Sequence, residues 1–366
     1  MEDLVKSFWR NRKVFLTGHA GFKGSWMSLW LQMLEADTLG YSRSSPSSPS
    51  LFDAARVSSG THSVKGDICD IASLRTCMHS FAPEVVFHLA AQPIVRQSYK
   101  DPVETYQTNV MGTVNVLECV RSCPSVRAVV VVTSDKCYEN QEWPWLYRET
   151  DRLGGHDPYS NSKACAELVV SCYGSAFFNP QNYREHGVAI ASARAGNVIG
   201  GGDWAKDRLI PDMIRAFAAK EVVRIRSPHA IRPWQHVMEA LKGYLLLAQR
   251  MVQEGGAYSG PWNFGPSTAD LKTVQWIVQK LATLWGDGAR WECDTAPQVH
   301  EAGVLKIDWS KAAAGLGWRP AFDLGQCLQL TTEWYKGFHE GRDARDLCLE
   351  QIAAFQQLWR SDIDCP

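Results

Sequence analysis

The chain has 366 residues, 45% of them hydrophobic and 21% charged, with a formal net charge of -1. These values are ordinary for a globular protein and argue against extended disorder. With no basic block there is no surface marked for nucleic acid or anionic membrane, and no apolar run approaches the roughly 20 residues of a membrane span. The opening MEDLVKSFWRNRK lacks the apolar core of a secretory leader. The 11 cysteines are scattered through a large chain and read as thiols rather than a disulfide framework. A cytoplasmic protein without a metal centre is therefore expected.

In chain order, KVFLT (13–17) predicts a strand, followed by glycines and by SWMSLWLQMLEA, where Trp26, Leu29, Trp30 and Met33 recur at helical spacing. The serine- and proline-rich stretch 42–60 predicts a loop. Alternation then resumes: VVFHLAA as strand, NVMGTVNVLECVRS as helix, AVVVVTS as strand, NSKACAELVVSCYGSAFF as helix, and GVAIASARAGNVIG (187–200) as one further strand. Strands alternating with helices predict an α/β fold, a Rossmann-type doubly wound parallel sheet covered on both faces. Beyond Gly200 the rhythm weakens and Pro, Trp and Arg become prominent. Residues 10–200 are expected to form the dinucleotide-binding domain, with a return segment near 235–265. A smaller, mainly C-terminal α+β lobe is expected to comprise 201–234 and 266–366.

TGHAGFKG sets Gly18, Gly21 and Gly24 between a strand and an amphipathic helix. In that context glycines permit a tight turn and bring a pyrophosphate close to the unpaired amides of the helix N-terminus. An acidic residue about 20 positions on normally selects NAD by binding the ribose 2′-hydroxyl. Here the equivalent place reads LGYSRSS, with Arg43 and no acid, which leaves NADP open beside NAD.

VVVVTSDKCYEN begins as a strand buried on both faces and ends in Ser134, Asp135 and Lys136. Further on, YSNSK places Tyr159 and Lys163 one helical turn apart on the same face. A phenol titrates near pH ~10, and a neighbouring ammonium favours its phenolate, which makes it a base for a sugar hydroxyl.

Glycine loop, Ser134, Tyr159 and Lys163 stand in the order that resembles the extended short-chain dehydrogenase/reductase superfamily, and HLAAQP with Asn109 matches it too. GHAGFKGSW, TSDKCYEN, GGHDPYSNSK, ARAGNVIGGGDWAKDRLIPD and AIRPWQHV are similar to its sugar-nucleotide 4,6-dehydratase branch, and within that branch to the group acting on CDP-glucose.

That resemblance implies a retained NAD held by Gly18, Gly21, Phe22, Lys23, Gly24, Asp67, Ile68, Leu89, Ala90, Ala91, Asn109, Tyr159 and Lys163. It implies a nucleotide-sugar substrate held by Gln92, Asn197, Arg208, Leu209, Arg232 and Trp234. Tyr159 would deprotonate the sugar 4-hydroxyl as hydride leaves carbon 4, with Ser134 and Lys163 completing the triad. Lys136 would take the carbon 5 proton and Asp135 would protonate the departing 6-hydroxyl, in a route to deoxysugars of surface polysaccharide. A homodimer or higher homo-oligomer is also implied. Two alternatives stay open, another epimerase or dehydratase of the superfamily and a non-catalytic dinucleotide sensor. The pair Asp135 and Lys136 argues against simple epimerisation, which has no leaving hydroxyl to protonate.

Overall fold

A computed structural model describes residues 6–286, 288–294 and 303–361. Its centre is a seven-stranded sheet, parallel throughout, built from β1 (Lys13–Thr17), β2 (Asp37–Ser42), β3 (His62–Lys65), β4 (Val85–His88), β5 (Ala128–Val132), β6 (Ala189–Ala195) and β10 (Gly260–Phe264), in the order β3-β2-β1-β4-β5-β6-β10. The apolar runs of β4, β5 and β6 are buried at every residue, as strands covered on both faces must be. HSVK, by contrast, forms the largely exposed edge strand β3.

Side-chain alternation divides the core into two layers. Val14 and Leu16 of β1 join Trp26, Leu29 and Trp30 on one face. Phe15 joins Val86, Val129, Leu117 and Met78 on the other. The first layer continues without a break into the C-terminal third, since Trp318, Trp334 and Phe355 belong to the same cluster.

The stretch expected as one strand over 187–200 is two. β6 ends at Ala195, and β7 (Asn197–Ile199) leaves the sheet to pair in parallel with β9 (Trp234–His236). Gly196 is the hinge: a Cβ there would lie 2.4 Å from the carbonyl oxygen of Pro233. A second small parallel pair joins β8 (Val222–Ile225) to β11 (Arg290–Cys293). The serine loop also carries structure, a short helix Leu51–Ala54 capped by Ser50. No helix among the described residues is long and apolar enough to cross a membrane.

Candidate active site

Strand order reverses between β1 and β4, and the crevice at such a switch point, beyond the carboxyl ends of the strands, is where open α/β sheets bind ligands. The β1 end delivers the glycine loop. Gly18 has φ +76, and a Cβ on it would stand 2.6 Å from the amide nitrogen of Ala90 at the end of β4. A Cβ on Gly24 would stand 2.1 Å from the Gly18 oxygen. Only hydrogen fits at either position. The helix Phe22–Met33 starts at Gly21 with no side-chain cap, so its first amides stay available to an anion.

A cleft of about 850 Å³ opens here, and the lining includes Gly18, Gly21, Phe22, Lys23, Gly24, Asp67, Ile68, Leu89, Ala90, Ala91, Tyr159 and Lys163. Its size and its bare backbone cradle fit a dinucleotide. A second cleft, of about 270 Å³, runs from Ser134, Asp135 and Lys136 past Asn197, Arg208 and Leu209 to Arg232 and Trp234. The two meet at Lys23, Thr133, Tyr159, Asp203 and Arg208, which line both.

Ser134 caps a single 3-10 turn, Asp135–Cys137, its Oγ accepting from the Lys136 amide at 3.2 Å and donating to Asp135 Oδ1 at 3.0 Å. Tyr159 lies in the first turn of the helix Pro158–Ala176, which starts on Asp157 as cap and Pro158 at its first position. Tyr159 N donates to Ser98 Oγ at 3.1 Å, and Lys163 Nζ donates to the Val132 oxygen at 3.2 Å.

Burial dominates the electrostatics. It pushes the Tyr159 phenol up to about 12, against a hydrogen bond from Ser134, and the Lys163 ammonium down to about 8, against the pull of Glu167. It lowers Lys23 to about 7, helped by Arg208 and Lys163 and opposed by Asp135 and Asp203. It raises Asp135, against the nearby charge of Lys136.

Two expected contacts also hold the scaffold. Gln92 is buried, donates from Nε2 to Thr105 Oγ1 at 2.9 Å and accepts from the Ile94 amide at 2.6 Å, so its side chain braces the loop after β4. Asn109 accepts from the Gln92 amide at 2.8 Å and donates to Ser162 Oγ at 2.9 Å, tying the β4 loop to the helix that carries Tyr159. Arg43 lines the dinucleotide cleft, and its guanidinium pairs with Glu104 at 3.2 Å. Arg208 is paired with Asp203 at 3.0 Å, and Arg232 donates to the Gly303 oxygen at 3.1 Å.

The sequence reading overlooked Arg96 and Arg226. Both line the substrate cleft and flank Asp207 at 3.6 Å and 3.7 Å. They come from segments 130 positions apart, and only the fold makes them neighbours.

Fold and site together define an extended short-chain dehydrogenase/reductase, with a dinucleotide cleft opening onto a substrate cleft at a tyrosine–lysine pair. The chain belongs to the family described as GDP-mannose 4,6 dehydratase, whose model matches residues 15–331. It is 55% identical over 338 residues to a CDP-glucose 4,6-dehydratase from Salmonella typhimurium, covering 92% of this chain and 94% of that one. It is 27% identical over 290 residues to a dTDP-glucose 4,6-dehydratase from Xanthomonas campestris, covering 74% and 78% respectively. Among solved structures, dTDP-glucose 4,6-dehydratase from Bacillus anthracis in complex with NAD superposes with a TM-score of 0.72 at 22% identity, covering 90% of this chain and 98% of that one.

Proposed function

We infer that this chain converts CDP-D-glucose to CDP-4-dehydro-6-deoxy-D-glucose and water, with NAD as a retained cofactor. The observation that carries this is the 55% identity, over nearly the full length of both chains, to a CDP-glucose 4,6-dehydratase. The site fits that chemistry: a phenol, a carboxyl raised by burial and an amine line one cleft, and the dinucleotide cleft opens beside them.

Tyr159 Oη accepts the proton of the sugar 4-hydroxyl, and Ser134 orients the phenol and that hydroxyl. Lys163 is anchored on the Val132 oxygen with its ammonium beside the cofactor cleft. A nicotinamide held beside Tyr159 and Lys163 would supply the hydride chemistry, storing the hydride of carbon 4 for return to carbon 6. The 4-keto group acidifies carbon 5, whose proton passes to the amine of Lys136. Asp135, whose carboxyl burial pushes up, gives its proton to the departing 6-hydroxyl. Arg208, Arg232, Arg96 and Arg226 supply the cations for the substrate diphosphate.

Incubation with CDP-glucose carrying deuterium on carbon 4 tests the reading. The label should appear on carbon 6 of a 4-keto-6-deoxy product, destined for deoxysugar synthesis. Inversion of the 4-hydroxyl with label kept at carbon 4 would establish an epimerase instead.

The enzyme works as a homodimer in a reducing cytoplasm. Val103, Met111, Leu168 and Phe177, 73%, 49%, 59% and 43% exposed, lie on or beside helical segments next to the cofactor cleft and give the partner an apolar face. Ten cysteines of the described residues are free thiols. Light scattering should show a dimer that Val103→Asp with Leu168→Asp converts to monomer.

A further inference from the structure

Behind the strand end that carries Ser134 lies an ion pair that lines neither cleft. Glu167, one turn beyond Lys163 on the helix Pro158–Ala176, meets Arg194 of β6 at 2.7 Å, and both side chains are only 3% exposed. Each partner reaches a different end of the acid–base turn. On one side, Glu167 accepts from Thr133 Oγ1, the residue preceding Ser134, and from Ser192 Oγ at 2.7 Å. On the other, Arg194 Nη1 donates to Tyr138 Oη at 2.8 Å, the residue following Cys137, and to the Glu149 oxygen at 3.1 Å. Tyr138 Oη in turn donates to Asn263 Oδ1 at 2.7 Å.

We propose that the buried Glu167–Arg194 pair is a positioning device for the elimination step, gripping residues 134–137 between Thr133 and Tyr138 so that Asp135 and Lys136 are aimed at the sugar. This proposal rests on the dehydratase reading above.

The grip acts on one chemical step more than the other, because the oxidising pair has anchors of its own. Tyr159 is set by Ser98 and by the Asp157 cap, Lys163 by the Val132 oxygen, and their helix by the Asn109–Ser162 bond. The acid–base turn is held separately. Within it, Ser134 Oγ bonds Asp135 and Lys136, and Cys137 N reaches the Ser134 oxygen at 3.3 Å; beyond it, the Gly154 amide donates to the Cys137 oxygen at 2.9 Å. Its outgoing end is paired on the surface side by the Tyr138–Leu153 bridge, with Glu139 N donating to the Arg152 oxygen at 2.9 Å, and is tied to β6 by the Tyr138 hydroxyl through Arg194. A displacement near 1 Å in a reacting group costs on the order of 10²-fold in rate. A buried ion pair is otherwise weak evidence for stability, since desolvation offsets its attraction.

Tyr138→Phe keeps the ring and the ion pair while removing the grip, and Arg194→Lys keeps the charge but loses the fork. Both are measured in rapid mixing with CDP-glucose, following reduced-nicotinamide absorbance and the isotope effect of deuterium on sugar carbon 5. Expected is a first hydride transfer within about twofold of wild type, a slower elimination by about tenfold or more, accumulation of reduced nicotinamide, and a larger carbon 5 isotope effect. Equal slowing of both steps, or no slowing of either in Tyr138→Phe, overturns the proposal. Should Arg194→Lys fail to fold, Tyr138→Phe decides alone. Wild-type transfer of label from carbon 4 to carbon 6 reports on the dehydratase reading separately, so the two ideas fail in different experiments.

Discussion

Ser134 Oγ donates to Asp135 Oδ1 at 3.0 Å, while Asp135 Oδ2 is buried with no hydrogen-bond partner among the described residues. Burial therefore favours the protonated form of this carboxyl, against the opposing charges of Lys136, Arg232 and Lys23.

Asp135→Asn should therefore separate activity from stability. Because burial raises the folded pKa of Asp135, the native state holds the proton longer than the unfolded chain. The carboxyl then costs stability progressively as pH rises through the unfolded value of ~3.9 toward the raised one. At pH ~7 that cost is present, and asparagine removes it. Product formation should fall by about 10²–10⁴-fold, with reduced nicotinamide accumulating and an unfolding temperature equal to or above wild type. Tyr159→Phe should instead produce no reduced nicotinamide. Calorimetry beside absorbance checks both.

Lys23 gives the opposite pH signature. Its folded pKa sits near about 7 against an ordinary 10.5, chiefly through burial. The native state thus binds fewer protons than the unfolded chain between those values, so stability rises with pH across that window and the cost is complete below it. In the ligand-free protein, Lys23→Met should raise the unfolding temperature by about 2 °C or more near pH ~6. Near pH ~10.5 the difference should vanish. A gain independent of pH would mean that packing, not charge, limits this position.

Much of this could be read from the chain because the informative signals are local. An apolar run ending in Ser134, Asp135 and Lys136, or glycines between a strand and a helix, carry their context with them. What escaped was set by distant backbone. Nothing near Gly196 announces that Pro233 will press against it and split the predicted strand. Gln92 and Asn109 also hold bonds to Thr105, Ile94 and Ser162 that their positions in the chain do not announce. The Glu167–Arg194 grip draws on segments at Thr133, Tyr138, Glu167, Ser192 and Asn263, which only the folded sheet assembles.

Arg43 lines the dinucleotide cleft at the chain position where an acid normally selects the ribose, and Glu104 shares its charge at 3.2 Å. This pair is exposed and adds little to stability, so its consequence lies in cofactor choice. Wild type should use NAD in preference to NADP, and Glu104→Ala, by releasing the guanidinium, should narrow that preference by about fivefold, as removing about 1 kcal/mol of competition would. Titration of both dinucleotides against both proteins gives the ratio directly. An unchanged ratio would show that Arg43 does not face the ribose.

Gly18 and Gly174 make a matched pair for the backbone argument. At Gly18 a methyl group would meet the Ala90 amide at 2.6 Å, and φ of +76 is strained for any L-residue. At Gly174, within the helix Pro158–Ala176, nothing lies within 4 Å of the added carbon. Gly174→Ala should stabilise the protein by about 0.5–1 kcal/mol through helix propensity. Gly18→Ala should destabilise by at least about 1–2 kcal/mol from the left-handed backbone alone. Since relief of the clash must push the β1 and β4 loops apart, it should also abolish dinucleotide binding. Denaturant titration and equilibrium binding on the two variants check this, and retention of full cofactor affinity in Gly18→Ala would mean that the pyrophosphate does not lie across that loop.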